Sequence, residues 1–379
     1  MSIPRGWLLV LCALFLDHGA RAGLHEAILE GDSRRALELA RKSKDFDQPD
    51  AKSHYTPLYL AALNGQTEVA TALINRGARI GARTPQQQTP LMAACRAGSP
   101  DLCRLLLEKG AEARAVDING VTPLLLASMA NRLSVVKLLL DGGAGVDGDP
   151  KAQLTPLMGI CQKPEGTNQQ LEIVKLLLDK GADAKAVRYQ QCTALHLAAQ
   201  SAGLPVVQLL IQSGSDVNAQ GKWGISPLLC AAMSDREEVM RLLLTNGAQP
   251  TVSTNRELAE AAGKLHRFLA RNPVPKDPVG SAADRWTAAA GCFESAAAAY
   301  ETKAEKLQDE KTRGFWRRTG EFWAPAEAGL SYNSERDSKA DLKNLLAECQ
   351  TRGAECKKWA AECLAMARSA KTTIESAAQ

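Results

Sequence analysis

Three cysteines near the C-terminus, Cys349, Cys356 and Cys363, recur at seven-residue steps, and thiolate donors held together would bind a zinc-like ion. On a helix seven residues span about 10 Å, so the three cannot share one ion and read as packing positions. A second chemistry is available. If the C-terminal region folds back about residue 328, Cys292 comes level with Cys363, and an oxidising compartment would permit a disulfide between them. Cys95 and Cys103 lie level across a helix pair in the same manner, although both also suit a buried core. Histidine offers less. His25, His54, His196 and His266 are scattered, which supports neither a hydrolytic triad nor a His-rich metal centre. There is no phosphate-cradling Gly-x-x-x-x-Gly-Lys-Ser/Thr, nor a Gly-x-Gly-x-x-Gly after a strand. The sequence predicts no catalytic residue, no metal and no cofactor, hence no enzyme.

The elements that would position these side chains follow from one recurring stretch, Thr89-Pro90-Leu91-Met92-Ala93-Ala94-Cys95. Its equivalents begin at Thr56, Thr122, Thr155, Thr193 and Ser226. The steps are 33 residues each except 155 to 193, which is 38. A fixed period of this length predicts a stacked array of helix pairs. Each unit carries a turn such as Asp117-Ile118-Asn119-Gly120, a Thr or Ser as N-cap, usually Pro at the first helical position, an apolar outer helix, and a closing Gly. The five extra residues of the longer step fall in Pro164–Gln170 and read as a surface insertion.

This grammar resembles the ankyrin repeat family. Thr193-Ala194-Leu195-His196-Leu197-Ala198-Ala199 with Gly214-Ser215-Asp216-Val217-Asn218 is the nearest copy of the family pattern. The resemblance implies an all-α solenoid with short β-hairpin tips over residues 23–271: six full units between degenerate caps. Leu24–Gly31 would open it, and a shortened, more polar unit from Thr254 would close it. His196 stands at the family's His position, where the ring bonds backbone. The tips Thr84–Gln88 and Asp149–Leu154 lack the Asp-x-x-Gly turn and are expected to be irregular.

The ends have a different composition. Residues 1–22 read as a secretory signal, with Arg5, the apolar run Trp7–Leu16 and Ala20-Arg21-Ala22 as the cleavage site, giving a periplasmic or secreted protein cut after Ala22. Residues 272–282 hold three prolines and read as a linker. Residues 283–379 predict an antiparallel, coiled-coil-like helical hairpin. One seam carries Trp286, Phe293, Tyr300 and Leu307; the other carries Leu346, Cys349, Cys356, Ala360, Cys363, Ala367, Ala370 and Ile374. Phe315-Trp316 and Phe322-Trp323, with Arg317-Arg318 between, read as packing or as an exposed anchor.

With 46 basic and 42 acidic residues the chain has a charge of +4, which gives no argument for nucleic acid. In the family, protein targets lie along the tips and inner helices. Carrying those positions over gives Tyr55, Gln88, Arg96, Met129, Tyr189, Gln200, Lys222, Trp223 and Met233 as partner-binding residues. The function this implies is an exported, non-catalytic scaffold for a protein partner of unspecified identity, with self-association through the C-terminal helices as a further contact. The alternative is a secreted, host-directed effector or antagonist whose C-terminal helices touch a membrane or target; a third reading, an enzyme housed in those helices, lacks a convergent polar cluster in the sequence.

Overall fold

Threonine followed by proline starts the inner helices for a local reason. The Thr56, Thr89, Thr122 and Thr155 hydroxyls accept the backbone N–H three residues on, at 3.2–3.4 Å, and Pro at the first helical position gives up an N–H that has no partner there. A computed structural model describes residues 23–42, 46–51, 53–164, 168–249, 259–272, 282–308 and 338–377. The expected signal segment, most of the expected linker, the Phe315–Trp323 stretch and the expected turn near residue 328 lie outside them.

The chain divides into two compact units, one ending at Asp216 and one beginning at Val217. The first starts with α1 (Leu24–Leu29) and α2 (Ser33–Lys42). Inner helices α3 (Pro57–Leu63), α5 (Pro90–Ala97), α7 (Pro123–Met129), α9 (Pro156–Cys161) and α11 (Ala194–Ser201) alternate with outer helices α4 (Thr67–Asn75), α6 (Pro100–Glu108), α8 (Leu133–Asp141), α10 (Asn168–Asp179) and α12 (Leu204–Gln212). Inner helices pack on inner and outer on outer, from α1 and α2 onward. Leu58, Leu91, Leu124, Leu157 and Leu195 bury completely along the inner row, so each pair closes its neighbour's apolar face.

Among the described residues no strand forms, which corrects the expected β-hairpin tips. Each tip is a turn closed by few backbone bonds: Asp117 N–H to Val121 O at 3.1 Å, Thr84 to Gln88 at 3.0 Å, Arg188 to Cys192 at 3.1 Å. One rung does not make a ladder. The Thr84–Gln88 tip is also more regular than its wording implies. The Thr84 hydroxyl accepts from Gln88 N at 3.1 Å, as the Asp117 carboxylate accepts from Asn119 N and Val121 N at 2.8 and 2.9 Å. Gly120 has φ +78°, and a Cβ there would meet the Ala152 backbone N at 2.4 Å, so the spacing of adjacent tips requires glycine. The insertion is held at its base by Gln170, whose Nε2 donates to Ile160 O and Lys163 O at 3.0 and 3.1 Å.

The second unit contains one further pair, α13 (Pro227–Met233) and α14 (Glu237–Thr245), then α15 (Ala259–Arg271), α16 (Ala282–Gln308) and α17 (Ser338–Ala377). α16 and α17 run antiparallel, since Phe293 meets Trp359 while Tyr300 meets Gly353. Phe293 of the first expected seam is buried, with Ala290 and Ala297 on either side of it, as are Cys349, Cys356, Ala360, Cys363 and Ala367 of the second. α15 departs from expectation. Read as a polar closing cap, it is instead buried on nearly every face, because α13 covers one side and α16 the other. The hairpin is therefore part of a three-helix layer, which buries Phe293 of the first seam and Cys356, Ala360, Cys363 and Ala367 of the second.

Candidate functional site

The expected partner residues fall into different surroundings. In the first unit, Arg96 at the end of α5 is exposed, while Gln200 at the end of α11 is half-buried. Tyr55 is half-buried, its ring 4.9 Å from that of Tyr59, and its carbonyl accepts from His25 Nε2 at 3.1 Å. Gln88 is drawn into a chain across three repeats: Tyr59 Oη donates to its Oε1 at 2.6 Å, and its Nε2 reaches Asp117 Oδ2 at 3.4 Å. Burial pushes the Tyr59 phenol above its ordinary range, which keeps it a donor. Met129 lies over Gly159 of the next repeat, where an added Cβ would meet its Cγ at 2.9 Å. Gln88 and Met129 thus serve stacking as well as the surface. Of Tyr189 only the backbone is described; it opens a turn in which Gln190 and Gln191 have φ of +54° and +59°.

The second unit presents Lys222 and Trp223 on its tip. Trp223 adopts φ +62°, a left-handed conformation that costs a bulky residue on the order of 1–3 kcal/mol. The residue is 40% exposed, and the Lys222 ammonium lies 4.6 Å from the ring centre. Met233 is half-buried, and its carbonyl accepts from Lys264 Nζ at 3.3 Å.

Sequence reasoning missed Ile118, 61% exposed beside Asn119 on the tip of the third full repeat. The signal was there: an apolar residue in an Asp-x-x-Gly turn that the fold does not ask to be apolar. It also missed a polar cluster in the second unit. Lys264 Nζ lies 2.7 Å from Asp235 and 3.2 Å from Glu260, whose carboxylate accepts from Tyr300 Oη at 2.5 Å and faces Arg352 at 3.8 Å. Burial and this carboxylate push the Tyr300 phenol well above its ordinary range. Nearby, Arg285 Nη1 donates to His266 Nδ1 at 2.9 Å, both side chains being buried. His196 accepts from Thr193 N at 3.1 Å through Nδ1, capping its own helix.

All nine described cysteines are free thiols. The expected pair is among them, Cys363 buried in the seam and Cys292 half-buried. Among the described residues no group of His, Cys, Asp and Glu is placed to hold a metal, and no helix is long and apolar enough to cross a membrane.

Stacked helix pairs with capped inner helices and projecting turns define a repeat solenoid, a class that works by presenting surface. A family model of ankyrin repeats matches residues 24–117, 80–151, 100–188, 147–221 and 166–254, which together span more than half of the chain. The chain belongs to the ankyrin repeat family, whose domains generally serve as protein-binding scaffolds and are typically non-catalytic. Among solved structures it is similar to the crystal structure of the human ASB11 ankyrin repeat domain, with 26% identity and a TM-score of 0.50, covering 58% of this chain and 100% of that one. No curated protein gives a significant match.

Proposed function

We propose that this chain is an exported, non-enzymatic scaffold that binds a protein partner through the tips and inner helices of its repeats. The observation that carries the reading is Trp223. A large ring held in a left-handed turn and left partly open to solvent costs stability, and the expense is explained if the ring is a contact residue. Lys222 over the ring, and the exposed Arg96 and Ile118 in the other unit, add side chains of the kinds that anchor interfaces.

Glycine at position 223 separates the two roles. Trp223→Gly is expected to leave the melting temperature unchanged or raise it, because the strain is removed. It should lower affinity for a partner isolated by affinity capture on the wild-type chain by about ten-fold or more, as hot-spot truncation does. Partner binding at the wild-type level by this folded variant would overturn the assignment.

Export rests on Arg5, the run Trp7–Leu16 and Ala20-Arg21-Ala22. Fractionation with N-terminal sequencing of the mature protein should return Gly23 as the first residue outside the cytoplasm. Recovery of the uncut chain in the cytoplasm alone would sink this half of the reading.

A further inference from the structure

The partner surface makes no use of the cysteines, and one pair differs from the others. Cys95 on α5 and Cys103 on α6 are completely buried, with sulfurs 3.8 Å apart across a single helix pair. The other repeats act as internal controls. At the place of Cys95 they carry Ala62, Ser128, Cys161, Ala199 or Ala232, and opposite these stand Ala70, Val136, Val174, Val207 and Met240. Neither sulfur is needed for packing, then, and only in the second full repeat do inner and outer helix both supply one. Cys161 shows that an inner-helix cysteine can occur without a facing thiol.

We propose that Cys95 and Cys103 are a disulfide-forming pair, oxidised as the chain folds by exchange with a small-molecule or protein disulfide. One cysteine, as thiolate, attacks the oxidant's S–S bond and displaces one of its sulfurs as a thiolate. The other then loses its proton and attacks the mixed disulfide at the protein sulfur, releasing the second half of the oxidant. Two S–H bonds and one S–S bond are lost and one intrachain S–S bond is formed. The oxidant takes both electrons and leaves as two thiols.

The sulfurs must close from 3.8 Å to about 2 Å, a movement within reach of χ1 rotation. The timing follows from burial. In the folded chain no oxidant reaches either sulfur, and burial together with the neighbouring thiol holds Cys95 well above the ordinary thiol range, so it is not a thiolate. Exchange therefore belongs to the stage before α5 and α6 close. Once formed, the bond ties together the two ends of the turn that follows Arg96.

The test is independent of where the protein resides. The full-length chain is reduced, denatured and refolded in a mixture of reduced and oxidised glutathione, then its free thiols are blocked with iodoacetamide. Trypsin cuts after Arg83, Arg96 and Arg104, so a Cys95–Cys103 bond joins peptides 84–96 and 97–104 into one species short of two hydrogens. That species is the expected product. Its formation should raise the melting temperature by several degrees over the reduced protein, a shift that Cys103→Val cannot show. Recovery of both cysteines alkylated, or each joined to some other cysteine, would overturn the proposal.

Discussion

Phe293→Ala is expected to cost about 3–5 kcal/mol, the range for truncating a fully buried aromatic. The ring is completely buried between three helices. On α15 it lies against Gly263, where a Cβ would meet it at 3.0 Å; on α17 it lies 5.2 Å from the Trp359 ring, tilted by 58°. The α15 guanidinium of Arg267 stands 5.7 Å from its centre. Because the glycine brings the α15 backbone down onto the ring, collapse of neighbours into the vacated space is limited, which places the cost toward the upper end. Repeat arrays lose stability regionally, so the readout is hydrogen exchange on the full chain. Protection should fall in α15, α16 and α17 and be retained in α5 to α10. Phe293→Leu should recover roughly half of the loss. Unchanged exchange in α15 would show that the three helices do not share this core.

The array was legible because its signals are local. Thr155, Pro156 and Leu157 state a cap, a helix entry and a core position within three residues, and a 33-residue step repeats the statement. The seams of α16 and α17 were legible for the same reason, since seven-residue spacing keeps Cys356 and Cys363 on one face. What was not legible depends on a partner element that sequence does not name. α15 reads as a polar cap because Glu260, Lys264 and His266 break its apolar pattern, and only the arrival of Tyr300, Arg352 and Arg285 from other helices explains how those groups come to be buried. Position alone makes Gln88 a surface residue. Its link to Tyr59 and Asp117 spans three repeats, a relation that a single-repeat alignment conceals. Trp223 was legible as a tip residue, because the fold sets no size there, and the same signal was overlooked at Ile118; the left-handed backbone of Trp223 was not legible.

Lys264→Met is the sharper test of the α15 cluster. The side chain is 8% exposed, and its ammonium is shared by Asp235 at 2.7 Å and Glu260 at 3.2 Å. Removing one partner of a buried pair leaves an uncompensated charge, which costs 3–5 kcal/mol where burial is complete. Here Asp235 is largely open to water, and Glu260 keeps Tyr300 at 2.5 Å and Arg352 at 3.8 Å. The expected loss is accordingly about 2–3 kcal/mol. Methionine preserves the length of the side chain over Trp359, so the loss reports charge and not a cavity. Adding Glu260→Gln removes the orphaned carboxylate while keeping an acceptor for Tyr300, and the double variant should be more stable than Lys264→Met alone by about 1 kcal/mol or more. Exposed pairs behave otherwise: they lose a few tenths of a kcal/mol and their losses add. An additive double variant, or a single variant costing less than about 0.5 kcal/mol, would mean that the cluster is solvated and that apolar packing alone holds α15 between α13 and α16.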